Sequence, residues 1–130
     1  MEKAGTRREI HLSALQLAVM RVVWSRGETT TAEVVADLGA RRGLAHTTVA
    51  TLLTRLEKRG VLTQRRDGRT LIYRALVSEP EVRSSMVADL VATLFRGDPS
   101  ALVAHLVRED EVAPDDGARI QARLGEADHE

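Results

Sequence analysis

Apolar positions recur at helical spacing in three early stretches, give way once to a strand-like pattern, and then return to helical spacing. Leu15, Val19, Val22 and Val23 share one helical face, and Trp24 closes it. Ser13, with Gln16 three residues on, predicts a capping box at the start of this helix, and Gly27 suits its end. A second, shorter helix opens at Thr30 with the same device at Glu33; Val34, Val35 and Leu38 face inward, and Gly39 is read as its stop. Arg41-Arg42-Gly43 then reads as a basic turn. The third helix is predicted from about Ala45 to Arg59. Val49, Leu52, Leu53 and Leu56 stand at i, i+3, i+4 and i+7, with His46, Thr47, Ala50, Thr51, Thr54 and Arg55 opposite and Gly60 as the cap. Three short, tightly connected helices, the third small and polar on its outer side, make a helix-turn-helix.

The period then changes. Val61 to Arg66 and Arg69 to Leu76 are β-prone and flank Asp67-Gly68, a hairpin signal. Arg65, Arg66 and Arg69 cluster at its tip. A helix-turn-helix followed by a basic hairpin is a winged helix. From Ser78 the chain returns to helices: one from Ser78 to Gly97, a second opening at Asp98-Pro99 or Ser100, and a last one from Pro114 through Ile120 and Leu124. The predicted fold is therefore mainly α: a winged helix with a small antiparallel hairpin at residues 1–77, then a helical arm at residues 78–130.

Composition narrows the function. The aromatics are Trp24, Tyr73 and Phe95, so the core must be aliphatic, which favours packed helices over a sandwich. With no cysteine there are no disulfides or thiolate metal sites. His11, His46, His105 and His129 are too scattered for a metal triad, and no glycine-rich phosphate loop follows a strand. An enzyme, a cofactor and a metal are therefore not expected. Neither a signal peptide nor a membrane span is legible, which points to a cytoplasmic protein without membrane insertion.

The formal net charge of zero conceals a division. Residues 1–77 hold fourteen Lys and Arg against seven Asp and Glu, a net +7, and residues 78–130 carry the balancing −7. The basic half suits a polyanion. DNA contacts are expected from His46, Thr47, Thr48, Thr51 and Arg55 on the third helix, and from Arg65, Arg66 and Arg69 on the wing. Thr48 is equally open to a packing role, since it faces sideways. Trp24 reads as core, and Tyr73 as a partly buried ring with its hydroxyl to solvent. In the arm, Val82, Met86, Leu90, Leu94, Phe95, Leu102 and Leu106 make an apolar surface suited to a second copy of the chain, and the resulting two-fold axis would read a palindrome. Two alternatives stand beside this: an arm folded back onto its own wing domain, and a winged helix used for protein contact.

Leu12-Ser13-Ala14-Leu15-Gln16, Val19-Met20-Arg21-Val22-Val23-Trp24 and the segment Thr47 to Gly60 resemble the opening and recognition helices of the BlaI/MecI/CopY family of penicillinase-type repressors. The wing Arg66 to Tyr73 and the later Ala101 to Val107 extend the resemblance over about Ile10 to Leu124. It implies a homodimeric repressor on inverted repeats with TACA/TGTA half-site cores. It also implies dimerisation in the C-terminal helices and induction by proteolysis there, carried out by a membrane metalloprotease sensor. By position the scissile bond falls at His105-Leu106, where staphylococcal members have Asn-Phe. The cysteine pattern of copper-responsive members is missing. Thr47 and Ala50 stand where staphylococcal members carry Lys and Arg.

Overall fold

The computed structural model describes residues 9–109. The helix expected from Pro114 lies outside them. The described residues divide into two compact units, His11–Val82 and a second to which residues 9–10 and 83–109 belong.

In the first unit, α1 (Ala14–Arg26) starts at the expected capping box: the Gln16 amide donates to Ser13 Oγ and the Ser13 amide to Gln16 Oε1. Gly27 ends it at φ 83°. A two-residue strand, β1 (Glu28–Thr29), follows. Thr30 and Glu33 form the second capping box, at the head of α2 (Thr31–Val34). Here the structure departs from the sequence reading. Gly39 does not stop the helix; the backbone widens into a π-turn over Val35–Gly39 and continues as α3 (Ala40–Arg42), so Arg41 and Arg42 are helical and Gly43, left-handed at φ 65°, is the stop. Gly39 serves close packing instead. A Cβ there would sit 3.1 Å from Val35 Cγ1 and 3.2 Å from the Leu44 carbonyl oxygen.

Next comes α4 (His46–Lys58), whose Val49, Leu52, Leu53 and Leu56 are all buried as their spacing predicts. The hairpin is β2 (Leu62–Asp67) and β3 (Thr70–Ala75), and β1 adds to β3 to give an antiparallel sheet of order β1-β3-β2. Asp67 pairs with Thr70, so the turn is Gly68-Arg69, one residue beyond the Asp-Gly pair that signalled it. Gly68 at φ 63° supplies the positive angle that a two-residue hairpin turn demands. One sheet face carries Leu62, Tyr73 and Thr29 into the core, and Tyr73 is only 3% exposed, more deeply buried than its sequence context suggests. Trp24 is half-buried, and its indole N–H donates to the Val77 carbonyl at 2.9 Å. Val77 and Val82 are both buried in this unit. The result is a winged helix of mainly α composition.

Helix α5 (Glu79–Leu94) begins with a third capping box, Ser78 with Glu81. In the second unit Asp98 caps α6 (Pro99–Arg108), with Pro99 in its first turn. Val91 and Val103 are buried there, the Phe95 and His105 rings meet at 5.9 Å, and the Ile10 amide donates to Ser85 Oγ.

Candidate nucleic-acid interface

The inward row of α4 fixes its outward one. Because Val49, Leu52, Leu53 and Leu56 are sequestered, His46, Thr47, Thr48, Thr51, Thr54 and Arg55 are all exposed, and Ala50 is half-buried among them. Thr48, open to either role in the sequence, is a surface residue. The helix is anchored at its far end: Arg59, its C-cap residue, donates through Nη2 to the His11 carbonyl at 2.7 Å. The C-terminal end of α4 is thereby tied to the segment leading into α1.

Two of the outward threonines turn their hydroxyls back on the helix. Thr51 Oγ1 donates to the Thr47 carbonyl and Thr54 Oγ1 to the Ala50 carbonyl, both at 2.9 Å. Thr54 and Ala50 lie outside the set of DNA contacts expected from the sequence. Their outward position was legible, but the back-bonding was not.

The three wing arginines occupy three different environments. The register places Arg65 opposite Ile72 and Arg66 opposite Leu71, so the two side chains leave opposite faces of the sheet, while Arg69 lies in the turn. All three are exposed. Arg65 donates through both Nε and Nη2 to the Glu28 carboxylate, at 3.4 and 2.9 Å. That bond, reinforced by charge attraction, lowers the Glu28 pKa and raises that of Arg65. A similar fork joins Arg26 to Asp37, with both contacts at 2.9 Å, and lowers the Asp37 pKa. Further basic charge lines a shallow cleft of about 710 Å³ between α1 and residues 37–42, where Arg21, Arg41 and Arg42 meet Asp37, Leu38 and Ala18. The acid in this group is already bonded to Arg26.

The arm residues separate by exposure. Leu90 and Leu94 are 39% and 67% exposed, Met86, Phe95, Leu102 and Leu106 are half-buried, and Val82 is buried within the chain. His105 is exposed, and the bond joining it to Leu106 lies inside α6. Among the described residues no group of His, Cys, Asp or Glu could hold a metal, and no helix is long and apolar enough to cross a membrane.

Comparison with known proteins gives the same picture. The family model described as penicillinase repressor matches residues 12–126. The transcriptional regulator BlaI of Mycobacterium tuberculosis is 35% identical over 117 residues, covering 88% of this chain and 83% of that protein. The methicillin resistance regulatory protein MecI of Mammaliicoccus sciuri is 22% identical over 105 residues, covering 81% of this chain and 85% of its own length. Among solved structures, the DNA-binding domain of the repressor BlaI superposes with a TM-score of 0.52 at 29% identity, covering 58% of this chain and 93% of that domain. The Bacillus licheniformis BlaI monomeric form in complex with the blaP half-operator superposes with a TM-score of 0.51, again at 29% identity and with the same coverage of both chains. The chain belongs to the penicillinase-repressor family, whose members are transcriptional repressors and not enzymes.

Proposed function

We propose that this repressor acts as a homodimer on an inverted-repeat operator, with α4 in the major groove and the wing against the flanking backbone. The observation that carries the reading is the exposed row on α4, held up by four buried aliphatic residues and followed directly by an arginine-bearing hairpin. His46, Thr47, Thr48 and Thr51 are the groove residues, Arg55 anchors a phosphate, and Arg66 and Arg69 reach the backbone. The net +7 of residues 1–77 supplies the long-range attraction. A relative of known structure holds a half-operator in its monomeric form, which supports one winged helix per half-site.

Leu90 and Leu94 support pairing of the arm with a second copy, since large aliphatic side chains so exposed on one helix favour burial. Disrupting that pairing is the event that relieves repression, and a membrane metalloprotease sensor is the partner that would cut the arm. The His105-Leu106 bond lies within α6, so a protease that takes extended substrate needs this helix opened first.

The test is a binding selection with the full chain on a random duplex pool. Enrichment of an inverted repeat supports the reading. Recovery of sequences no different from the input pool contradicts it.

A further inference from the structure

The base-reading mode of α4 follows from how its threonines are bonded. Thr47, Ala50, Thr51 and Thr54 stand at i, i+3, i+4 and i+7, the row opposite the buried one. The bidentate readers of base edges (Arg, Lys, Asn, Gln) are missing from these four positions; Arg55 stands beside them, and Lys58 continues the row one turn on. Thr51 and Thr54 each have a single hydroxyl proton, and each gives it to the helix carbonyl four residues back. With Oγ1 turned toward the helix, the stiff β-branched side chain presents its methyl elsewhere. The row therefore offers the groove the Thr51 and Thr54 methyls and the Ala50 Cβ, with the Thr47 hydroxyl at its start. In the major groove the base feature matching an apolar surface is the C5 methyl of thymine.

We propose that Thr51, flanked by Thr54 and Ala50, selects thymine in the operator through methyl-to-methyl contact, its hydroxyl proton being given to the helix and not to a base edge. This rests on the reading of α4 as the groove-binding helix. It assigns operator preference to residues whose hydroxyl protons are already given to the helix, and it adds Thr54 and Ala50 to the specificity surface. Each buried methyl contact should be worth roughly fourfold in affinity.

The test uses the full chain and the duplex it enriches from a random pool, synthesised with thymine or with uracil at the half-site thymines. Uracil keeps every hydrogen-bonding group and lacks only the methyl. The parent should bind the uracil duplex roughly fourfold more weakly for each methyl contacted. Thr51→Val, which keeps a branched methyl and drops the hydroxyl, should retain the preference for thymine over uracil. Thr51→Ser, which keeps the hydroxyl and drops the methyl, should lose about fourfold of it. Matching thermal melts of both variants establish that the fold is intact. Equal binding of the two duplexes by the parent overturns the proposal, as does a half-site without thymine. So does the converse pattern, in which Ser preserves discrimination and Val abolishes it. A pool from which nothing is enriched overturns DNA reading by α4 itself, an outcome distinct from all of these.

Discussion

Arg65 on β2 and Glu28 on β1 form an ion pair across the middle strand of the sheet, Nη2 to Oε1 at 2.9 Å. The wing arginines are therefore not equivalent as phosphate ligands. Arg66 and Arg69 present charge that can displace a counterion from DNA, whereas much of the Arg65 field is cancelled by Glu28. Replacing Arg66 or Arg69 by Ala should weaken binding across all sequences and flatten the salt slope by about one unit each. Arg65→Ala should do less. Glu28→Gln should strengthen binding and steepen the slope, because it releases Arg65. Affinity titrations at several salt concentrations separate these outcomes, and equal losses at Arg65, Arg66 and Arg69 would contradict the assignment.

The same pair and its counterpart, Arg26 with Asp37, predict how stability responds to acid. Hydrogen bonding from Arg65 lowers the Glu28 pKa, and hydrogen bonding from Arg26 lowers that of Asp37. A carboxylate whose folded pKa lies below its unfolded value stabilises the fold fully above the unfolded pKa. That contribution disappears as pH falls through the folded value. Stability should thus decline on acidification below about pH 4, and the decline should be shallower in Asp37→Asn and Glu28→Gln. Both pairs are exposed, so the effect is small and is reduced further by salt. Urea midpoints measured by circular dichroism from pH 7 down to about pH 3 check this.

Trp24 fastens α1 to the chain beyond the hairpin. Its indole donates to the Val77 carbonyl, and Trp24→Phe keeps an aromatic ring but removes the donor, leaving a carbonyl without its partner. The expected cost is about 1–3 kcal/mol, read as a lower urea midpoint with an unchanged slope. A variant as stable as the parent would show that solvent replaces the indole there at no cost.

Features encoded within a few residues were legible in the sequence, and those created by distant pairing were not. The Ser13–Gln16 and Thr30–Glu33 capping boxes and the buried row of α4 were each written at fixed spacing, and each stands where the spacing put it. Strand β1 is only Glu28–Thr29, too short to show a period, and it exists because β3 pairs with it. Gly39 looked like a helix stop because glycine often ends helices, yet here it answers to Val35 and the Leu44 carbonyl. The Asp67-Gly68 signal found the hairpin but missed its turn by one position, because Gly68 takes the first turn position and not the second. Of the candidate site, the outward face of α4 was readable from periodicity. The engagement of Arg65 by Glu28, thirty-seven residues away, was not.

The most direct test of the account as a whole compares the full chain on two duplexes, the enriched inverted repeat and a single half-site, in one fluorescence-anisotropy titration series. Two winged helices held by a shared arm make the second contact nearly intramolecular. The repeat should bind two chains and do so roughly 10²–10⁴-fold more tightly than the half-site. A Leu90→Asp, Leu94→Asp double variant should lose that advantage while keeping half-site affinity, since each introduced charge would have to be buried in an apolar seam. Equal affinity of the parent for the two duplexes would contradict the dimeric operator reading.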